Sequence, residues 1–563
     1  MKSFIVFVLG MLLLHTGGAQ PYLIEDSVLI RTPYGATLSA VVVRKKDAPA
    51  KQPAALMFFI YANRDRSLEE AKYAADRGYV GIVADTRGKR LSPDLIEPYE
   101  HEAQDVNAVI SWIVRQSWSD GRVGMYGGSY SGFAQWAALK HPHPALKTIV
   151  PYVAAIPGLG LPMENNVFIT ANYQWPFYVT NNKLTDTAVN NDRERFRKMR
   201  LNWFYSGRPY NKIDSIDGVA NPWLQKWLSH PGYDSYWQSM VPYGKEYARI
   251  KIPVLSITGY YDDGQISAIE YLKQHYLYNP AADHYLVIGP YDHFGAQQGG
   301  TRMLRGYQVD SVAIINTRTL TFQWLDHILK SGPRPAILRD KINFEVMGAN
   351  RWKHAPSLEK MEDSVYRLYL SESGELSFTR PLKEKYHLQE IDFADRDHWT
   401  NSSYPDPIIK AELDTSNGLF FWSKPFDKPV TVSGSVTGLL KAVINKKDMD
   451  IGIGLYEVLP DGRFFQLSYY LGRASYAADM TKRKLLVPGK AEEIPVSRSR
   501  LFSKQLQQGS RLLVVLNINK NPFAQVNYGT GKDVSHETLR DAGEPLKIKW
   551  SSQSYFMLGM SRE

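Results

Sequence analysis

Strand-like and helix-like periods take turns twice along this chain, and that alternation limits its fold more than any other feature. Residues 27–43 alternate apolar and polar (Val28, Ile30, then Leu38, Ala40, Val42), the pattern of half-buried strands. Residues 54–60 form a continuous apolar run of the kind a fully buried strand carries. A helical stretch over 68–77 leads into an apolar strand at 80–84, and 102–116 places Val106, Ile110 and Ile113 on one helical face. A short strand at 123–126 and a helix over 133–139 follow. The series resumes with a strand at 254–258, a helix near 268–276, a strand at 285–288 and a helix near 317–329. Chains written this way build a parallel sheet with helices on both faces.

Between the two series, over 152–248, the alternation stops and aromatics gather: Trp175, Phe177, Tyr178, Trp203, Phe204, Trp223, Trp227 and Trp237. This reads as an inserted, mostly helical cap. Beyond 335 come short alternating segments separated by turns, at 344–347, 366–370, 430–436, 451–458, 512–518 and 546–550, the pattern of an all-β sandwich. At 563 residues the chain exceeds the roughly 250 to 300 that one core can serve, so several domains are expected. Their expected limits are 20–151 and 249–335 for the α/β unit, 152–248 for the cap and 336–563 for the sandwich.

Lys2, an apolar run over 4–14 and the small residues Gly17, Gly18 and Ala19 before Gln20 have the layout of a secretory signal peptide over 1–19. The apolar run is about half the ~20 residues a membrane-crossing helix needs, so no stable membrane anchor is expected. With no cysteine in the chain there is no disulfide, no thiolate metal site and no cysteine nucleophile. A periplasmic or secreted bacterial protein is the expectation. The net charge of +10 comes from 67 basic and 57 acidic residues spread along the chain, and no nucleic-acid module or dense basic patch stands out.

Chemistry enters at Val123-Gly124-Met125-Tyr126-Gly127-Gly128-Ser129-Tyr130-Ser131-Gly132, where a serine stands between strand and helix, the place of a nucleophile elbow. Such a turn is sharp, so small residues are needed on either side of the nucleophile, and Gly127 and Gly132 provide them. The usual G-x-S-x-G spacing puts glycine at 131, where this chain has Ser131. Taken alone, the segment also fits a Gly/Ser-rich turn. A hydroxyl is a weak nucleophile near neutral pH and needs a histidine base oriented by a carboxylate, in the chain order Ser, acid, His. Asp262, in Gly259-Tyr260-Tyr261-Asp262-Asp263-Gly264, follows one later strand, and His293, in Gly289-Pro290-Tyr291-Asp292-His293-Phe294, follows the next. The three residue types thus stand in order at three consecutive strand ends. Asp263 is the rival acid, and Asp292 is placed to modulate His293. A metal site built from Asp262, Asp263, Asp292 and His293 lacks the spacing of H-E-x-x-H or a comparable motif, so no metal is expected.

The segments Asp85-Thr86-Arg87-Gly88, Trp118-Ser119-Asp120-Gly121 and Val123 through Tyr130 resemble the cocaine esterase and α-amino acid ester hydrolase family, related to X-Pro dipeptidyl-peptidases. The resemblance extends to His230-Pro231-Gly232-Tyr233-Asp234-Ser235-Tyr236-Trp237, to the Asp262 and His293 segments, and to Asp448-Met449-Asp450, Pro460-Asp461-Gly462 and Asn527-Tyr528-Gly529-Thr530-Gly531. It implies an α/β-hydrolase domain with an inserted helical cap and a C-terminal all-β jelly-roll sandwich, with Ser129, Asp262 and His293 as the triad. It also implies an oxyanion hole made by the Tyr130 backbone N–H and the Tyr61 hydroxyl. Members that act on α-amino acid esters hold the substrate ammonium with acids two and three positions after the triad aspartate. Here those positions are Gly264 and Gln265. A buried cation without partner charge costs several kcal/mol, so substrates bearing a free α-amino group are disfavoured unless Asp263 or a cap acid compensates.

The function expected is acyl transfer from a small-molecule ester or amide through an acyl-enzyme, with no cofactor and with selectivity set by the aromatic cap. The alternatives are an X-Pro dipeptidyl-peptidase or α-amino acid ester hydrolase and, from another class, a glycan- or polymer-binding protein with an inactive hydrolase domain. The second would draw on Trp352, Trp399 or Trp422.

Overall fold

The structure, a computed structural model, describes residues 21–401, 404–414 and 416–562; the stretch read as a signal peptide lies outside the described residues. The first alternating series forms β1 (Tyr22–Arg31), β2 (Thr37–Lys45), β3 (Gln52–Phe59), β4 (Val80–Asp85), β5 (Ser119–Gly128) and β6 (Leu146–Tyr152). Helices α1 (Arg64–Ala75), α2 (Glu102–Val114) and α3 (Tyr130–Ala138) lie between them. Helix α1 begins four residues ahead of its apolar period because the Asn63 side chain accepts a hydrogen bond from the Arg66 N–H at 3.0 Å and caps the first turn.

The cap carries a short hairpin, β7 (Met163–Glu164) and β8 (Val167–Phe168). Its helices are α4 (Trp175–Thr180), α5 (Thr187–Asn191), α6 (Arg193–Ser206), α7 (Ile213–Asp217), α8 (Pro222–Leu228) and α9 (Ser235–Gln238). Phe177, Trp203, Phe204, Trp227 and Trp237 are buried in it. The second series supplies β9 (Val254–Tyr261), α10 (Gln265–Tyr278), β10 (His284–Asp292), α11 (Gly295–Gln298), the hairpin β11 (Met303–Leu304) and β12 (Tyr307–Gln308), and α12 (Thr317–Lys330). It closes with β13 (Ile342–Val346) and β14 (Arg351–Ala355).

Ten strands make one sheet in the order β1-β2-β4-β3-β5-β6-β9-β10-β13-β14, parallel from β4 through β13 and antiparallel at both ends. Two expectations need correction. Strand β6 escapes a reading by apolar runs because Lys147 and Pro151 interrupt it, and it lies between β5 and β9. The three candidate strand ends are therefore not consecutive in the sheet. Strand β13, expected in the sandwich, pairs with β10, so the sheet runs on to Ala355, beyond the expected limit at 335. Its Asn343 and Glu345 are both fully buried, so the strand imitates the alternation of a half-exposed one.

The remaining chain forms a β-sandwich. One sheet centres on the 15-residue strand Val430–Ile444, which pairs with Tyr555–Arg562, Leu546–Ser551, Ala491–Val496 and Leu501–Leu506. The other holds Ile409–Lys410, Phe464–Arg473, Asp450–Val458, Arg511–Ile518 and Leu419–Trp422 in that order. The sandwich grips the α/β unit at the carboxyl ends of its strands. The Met347 N–H donates to the Ser503 carbonyl at 3.1 Å, and the Tyr261 hydroxyl donates to the Gln466 carbonyl at 3.0 Å.

Candidate active site

Strand β5 ends at Gly128, and the next residue, Ser129, takes φ 59° and ψ −117° before α3 starts at Tyr130. For a residue with a side chain that conformation costs roughly 1–3 kcal/mol and persists only where the surroundings enforce it. Here they do. The Ser129 N–H donates to the Tyr152 carbonyl of β6 at 3.0 Å, and the Ser129 carbonyl accepts from the Phe133 N–H at 3.0 Å. A Cβ at Gly132 would lie 2.8 Å from the Ala154 Cα, and one at Gly128 would lie 2.3 Å from Gln297 Oε1. Ser131 fits where glycine is usual because its hydroxyl turns back into the sheet and donates to the Phe58 carbonyl at 2.7 Å. The close approach falls instead at Gly132.

Asp262, just past β9, is fully buried. One carboxylate oxygen accepts from the Thr258 hydroxyl at 2.8 Å; the other accepts from the Gly264 N–H at 3.0 Å and lies 2.8 Å from His293 Nδ1. His293, just past β10, has a quarter of its side chain exposed. Burial opposes its charged form, but the Asp262 hydrogen bond and charge, with Asp263 and Asp292 nearby, outweigh it and hold the imidazole pKa above its ordinary value. Gln297 donates to the His293 carbonyl at 2.8 Å while lying against Gly128, which brings the histidine loop onto the residue preceding Ser129.

Asp263 faces outward instead, and its carboxylate accepts from the Tyr404 hydroxyl at 2.9 Å. Among the described residues no three His, Asp or Glu side chains group as a metal ion would require.

Tyr61, two residues past β3, lies close to Ser129, and its hydroxyl accepts from the Trp175 indole N–H at 2.9 Å. Burial raises its pKa, so the phenol keeps its proton. Tyr130 offers the site only its backbone, since its hydroxyl is buried, accepts from the Tyr99 N–H at 3.1 Å and donates to Glu102. Burial pushes the Glu102 pKa up to about 7. Over Tyr61 and Tyr130 stand cap aromatics: Tyr178 stacks on Tyr61 at 6.3 Å, and Trp175 on Tyr130 at 5.9 Å.

Two further positions bear on charge in the site. Glu164 of the cap hairpin is engaged by Arg500 of the sandwich through two bonds of 2.7 Å. Gln265 is wholly structural, donating to the Gly259 and Leu501 carbonyls and accepting from the Leu501 N–H. Sequence reasoning did not find Trp175, Glu102 or Arg500 as site neighbours. Only the aromatic density of the cap hinted at the first.

An α/β sheet with an elbow serine at a strand end, an Asp–His pair on neighbouring strands, a cap and a sandwich defines an α/β-hydrolase. Residues 27–295 match the family of X-Pro dipeptidyl-peptidases (S15 family), and residues 339–549 match the X-Pro dipeptidyl-peptidase C-terminal non-catalytic domain. The chain belongs to this family of serine hydrolases, which includes cocaine esterase and α-amino acid ester hydrolases. It is 24% identical to a cocaine esterase from Rhodococcus sp. (strain MB1 Bresler) over 560 residues, covering 92% of this chain and 95% of that protein. An aminopeptidase from a marine sediment Thaumarchaeota archaeon superposes with a TM-score of 0.79 at 20% identity, over 96% of each chain. A selenomethionine-labelled α-amino acid ester hydrolase superposes with a TM-score of 0.76 at 20% identity, over 100% of this chain and 98% of that one.

Proposed function

We propose that this serine hydrolase is a periplasmic or secreted bacterial enzyme that cleaves ester or amide acyl bonds through Ser129, His293 and Asp262. The observation that carries the reading is the buried Asp262 carboxylate 2.8 Å from His293 Nδ1. A histidine held by Nδ1 keeps Nε2 free to act as a base. His293 takes the Ser129 proton as the hydroxyl oxygen attacks the acyl carbon. The negative charge gathering on the carbonyl oxygen is met by the Tyr130 N–H, at the start of α3, and by the Tyr61 hydroxyl. The proton passes from His293 to the leaving group, and a water deprotonated by the same histidine then releases the acid.

Simple esters and acylated amides suit the charges around the site. Gly264 and Gln265 carry no charge, and the cap acid Glu164 is already neutralised by Arg500. A second reading, hydrolysis of substrates with a free α-amino group, draws support from Asp263, whose outward carboxylate accepts from the Tyr404 hydroxyl. Comparing p-nitrophenyl butyrate, glycyl-prolyl-p-nitroanilide and an α-amino acid methyl ester separates the two, and a preference for either amine-bearing substrate sinks the first. Fluorophosphonate labelling tests the nucleophile, because a Ser129→Ala variant that labels as well as the wild type refutes it. N-terminal sequencing of the exported protein is expected to start at Gln20.

A further inference from the structure

The Tyr61 hydroxyl has one proton and must aim it at the oxyanion to act as proposed. What sets that aim is the second partner of its oxygen. An indole N–H only donates, so with the Trp175 N–H 2.9 Å away the Tyr61 oxygen accepts there, and its own proton is left to point elsewhere. The Ser129 side chain lies close to the same hydroxyl.

Neither ring is free to abandon this arrangement. The Trp175 indole stacks on Tyr99 at 5.0 Å with 16° between planes and packs against Tyr130 and Trp227, while Tyr61 is held between Phe59 at 5.3 Å and Tyr178 at 6.3 Å. Helix α4, which Trp175 opens, is fastened at its other end by the fully buried Lys89, whose ammonium donates to the carbonyls of Val179 in its last turn and of Asn182 and Leu184 just beyond it, at 2.8–3.2 Å.

Resting on the oxyanion reading above, we propose that Trp175 is a positioning residue: its indole N–H turns the Tyr61 proton toward the oxyanion. The cap thereby takes part in transition-state stabilisation as well as in enclosing the substrate.

A double-mutant cycle on p-nitrophenyl butyrate tests this. Tyr61→Phe is expected to lower kcat by about 10²- to 10³-fold, the usual effect of losing one oxyanion donor. Trp175→Phe is expected to lower kcat about tenfold with Tyr61 present, to leave KM within about threefold, and to change kcat less than about twofold in the Tyr61→Phe background. Replacing Trp175 by its benzothiophene analogue, which keeps the bicyclic shape without the N–H, is expected to match Trp175→Phe, and it decides the matter should the phenylalanine variant fold poorly. An unchanged kcat in Tyr61→Phe sinks the oxyanion reading itself. A large loss in Tyr61→Phe with an equal Trp175 effect in both backgrounds, or an analogue as active as wild type, overturns the positioning role alone.

Discussion

Replacing Glu164 with leucine is expected to unfold the junction between cap, sheet and sandwich more readily than any exposed charge change. Arg500 and Glu164 side chains are 2% and 7% exposed, and both carboxylate oxygens are used at 2.7 Å. Arg500 also donates to the Asp263 carbonyl at 3.2 Å and lies 3.8 Å over the Tyr469 ring. Leucine leaves that guanidinium in the same dry surroundings with its main acceptor gone. Breaking one side of a buried pair costs about 3–5 kcal/mol, whereas replacing both partners by apolar residues of similar volume is often close to neutral. Urea denaturation followed by tryptophan fluorescence is the assay. Glu164→Leu should lose about 3–5 kcal/mol, and the double variant Glu164→Leu/Arg500→Met should recover most of it. A double variant as unstable as the single one would refute the reasoning, since it would mean that packing at the junction, rather than the unpaired charge, sets the loss.

Other consequences follow from the same structure. Asp262→Asn should lower kcat by about 10⁴-fold with little change in KM, because the imidazole loses the partner that fixes its tautomer. Since the base must be neutral, kcat/KM should fall as pH drops through the His293 pKa, with a midpoint above 6.5, and Asp263→Asn should move that midpoint down by removing one nearby negative charge. His275 and His284 face each other in the core with Nδ1 atoms 3.1 Å apart, and burial lowers the His275 pKa to about 4. As pH falls from 6.5 toward 4 the unfolded chain takes up a proton at 275 that the native one refuses, so stability should drop by roughly 1.4 kcal/mol per pH unit from this group. His275→Gln should flatten that part of the urea-midpoint profile, and an unchanged slope would count against it.

The α/β series was legible because strands buried on both faces leave unbroken apolar runs, as β3 and β4 do. It failed where buried polar residues disguise the pattern. Glu345 in β13 is fully buried, and burial raises its pKa to about 9, so it sits in the core as a neutral acid that the sequence displays as a charge. Asn343 is equally hidden, donating to the Leu286 and Asp340 carbonyls. The placement of Ser129, Asp262 and His293 just past strand ends was legible because the apolar runs before them mark the strands. Ser131 looked like a defect in the elbow until its hydroxyl was seen to bond the Phe58 carbonyl. Trp175 was not readable, because its partner Tyr61 is 114 positions away and the two meet only through the folding of the cap.

The segment Asp85-Thr86-Arg87-Gly88-Lys89 shows why a recognisable motif need not touch the chemistry. Gly88 stands at φ +83°, where a Cβ would lie 2.5 Å from the Leu95 carbonyl oxygen, so the turn closes only without a side chain. Arg87 pairs with Asp105 of α2 through two bonds of 3.0 and 2.7 Å, anchoring the turn to the helix that carries Glu102. Lys89 then reaches the Val179 carbonyl in the last turn of α4 and the Asn182 and Leu184 carbonyls just beyond it. Each of its three N–H groups has an acceptor, which offsets the cost of burying the ammonium, although burial still lowers its pKa to about 8. One turn of chain thereby ties two supports of the proposed oxyanion hole to the same rigid sheet end: the Glu102 carboxylate that holds Tyr130, and the helix whose indole holds Tyr61. The motif sets the geometry of two donors from a distance, with its Arg87 and Lys89 side chains used up in doing so.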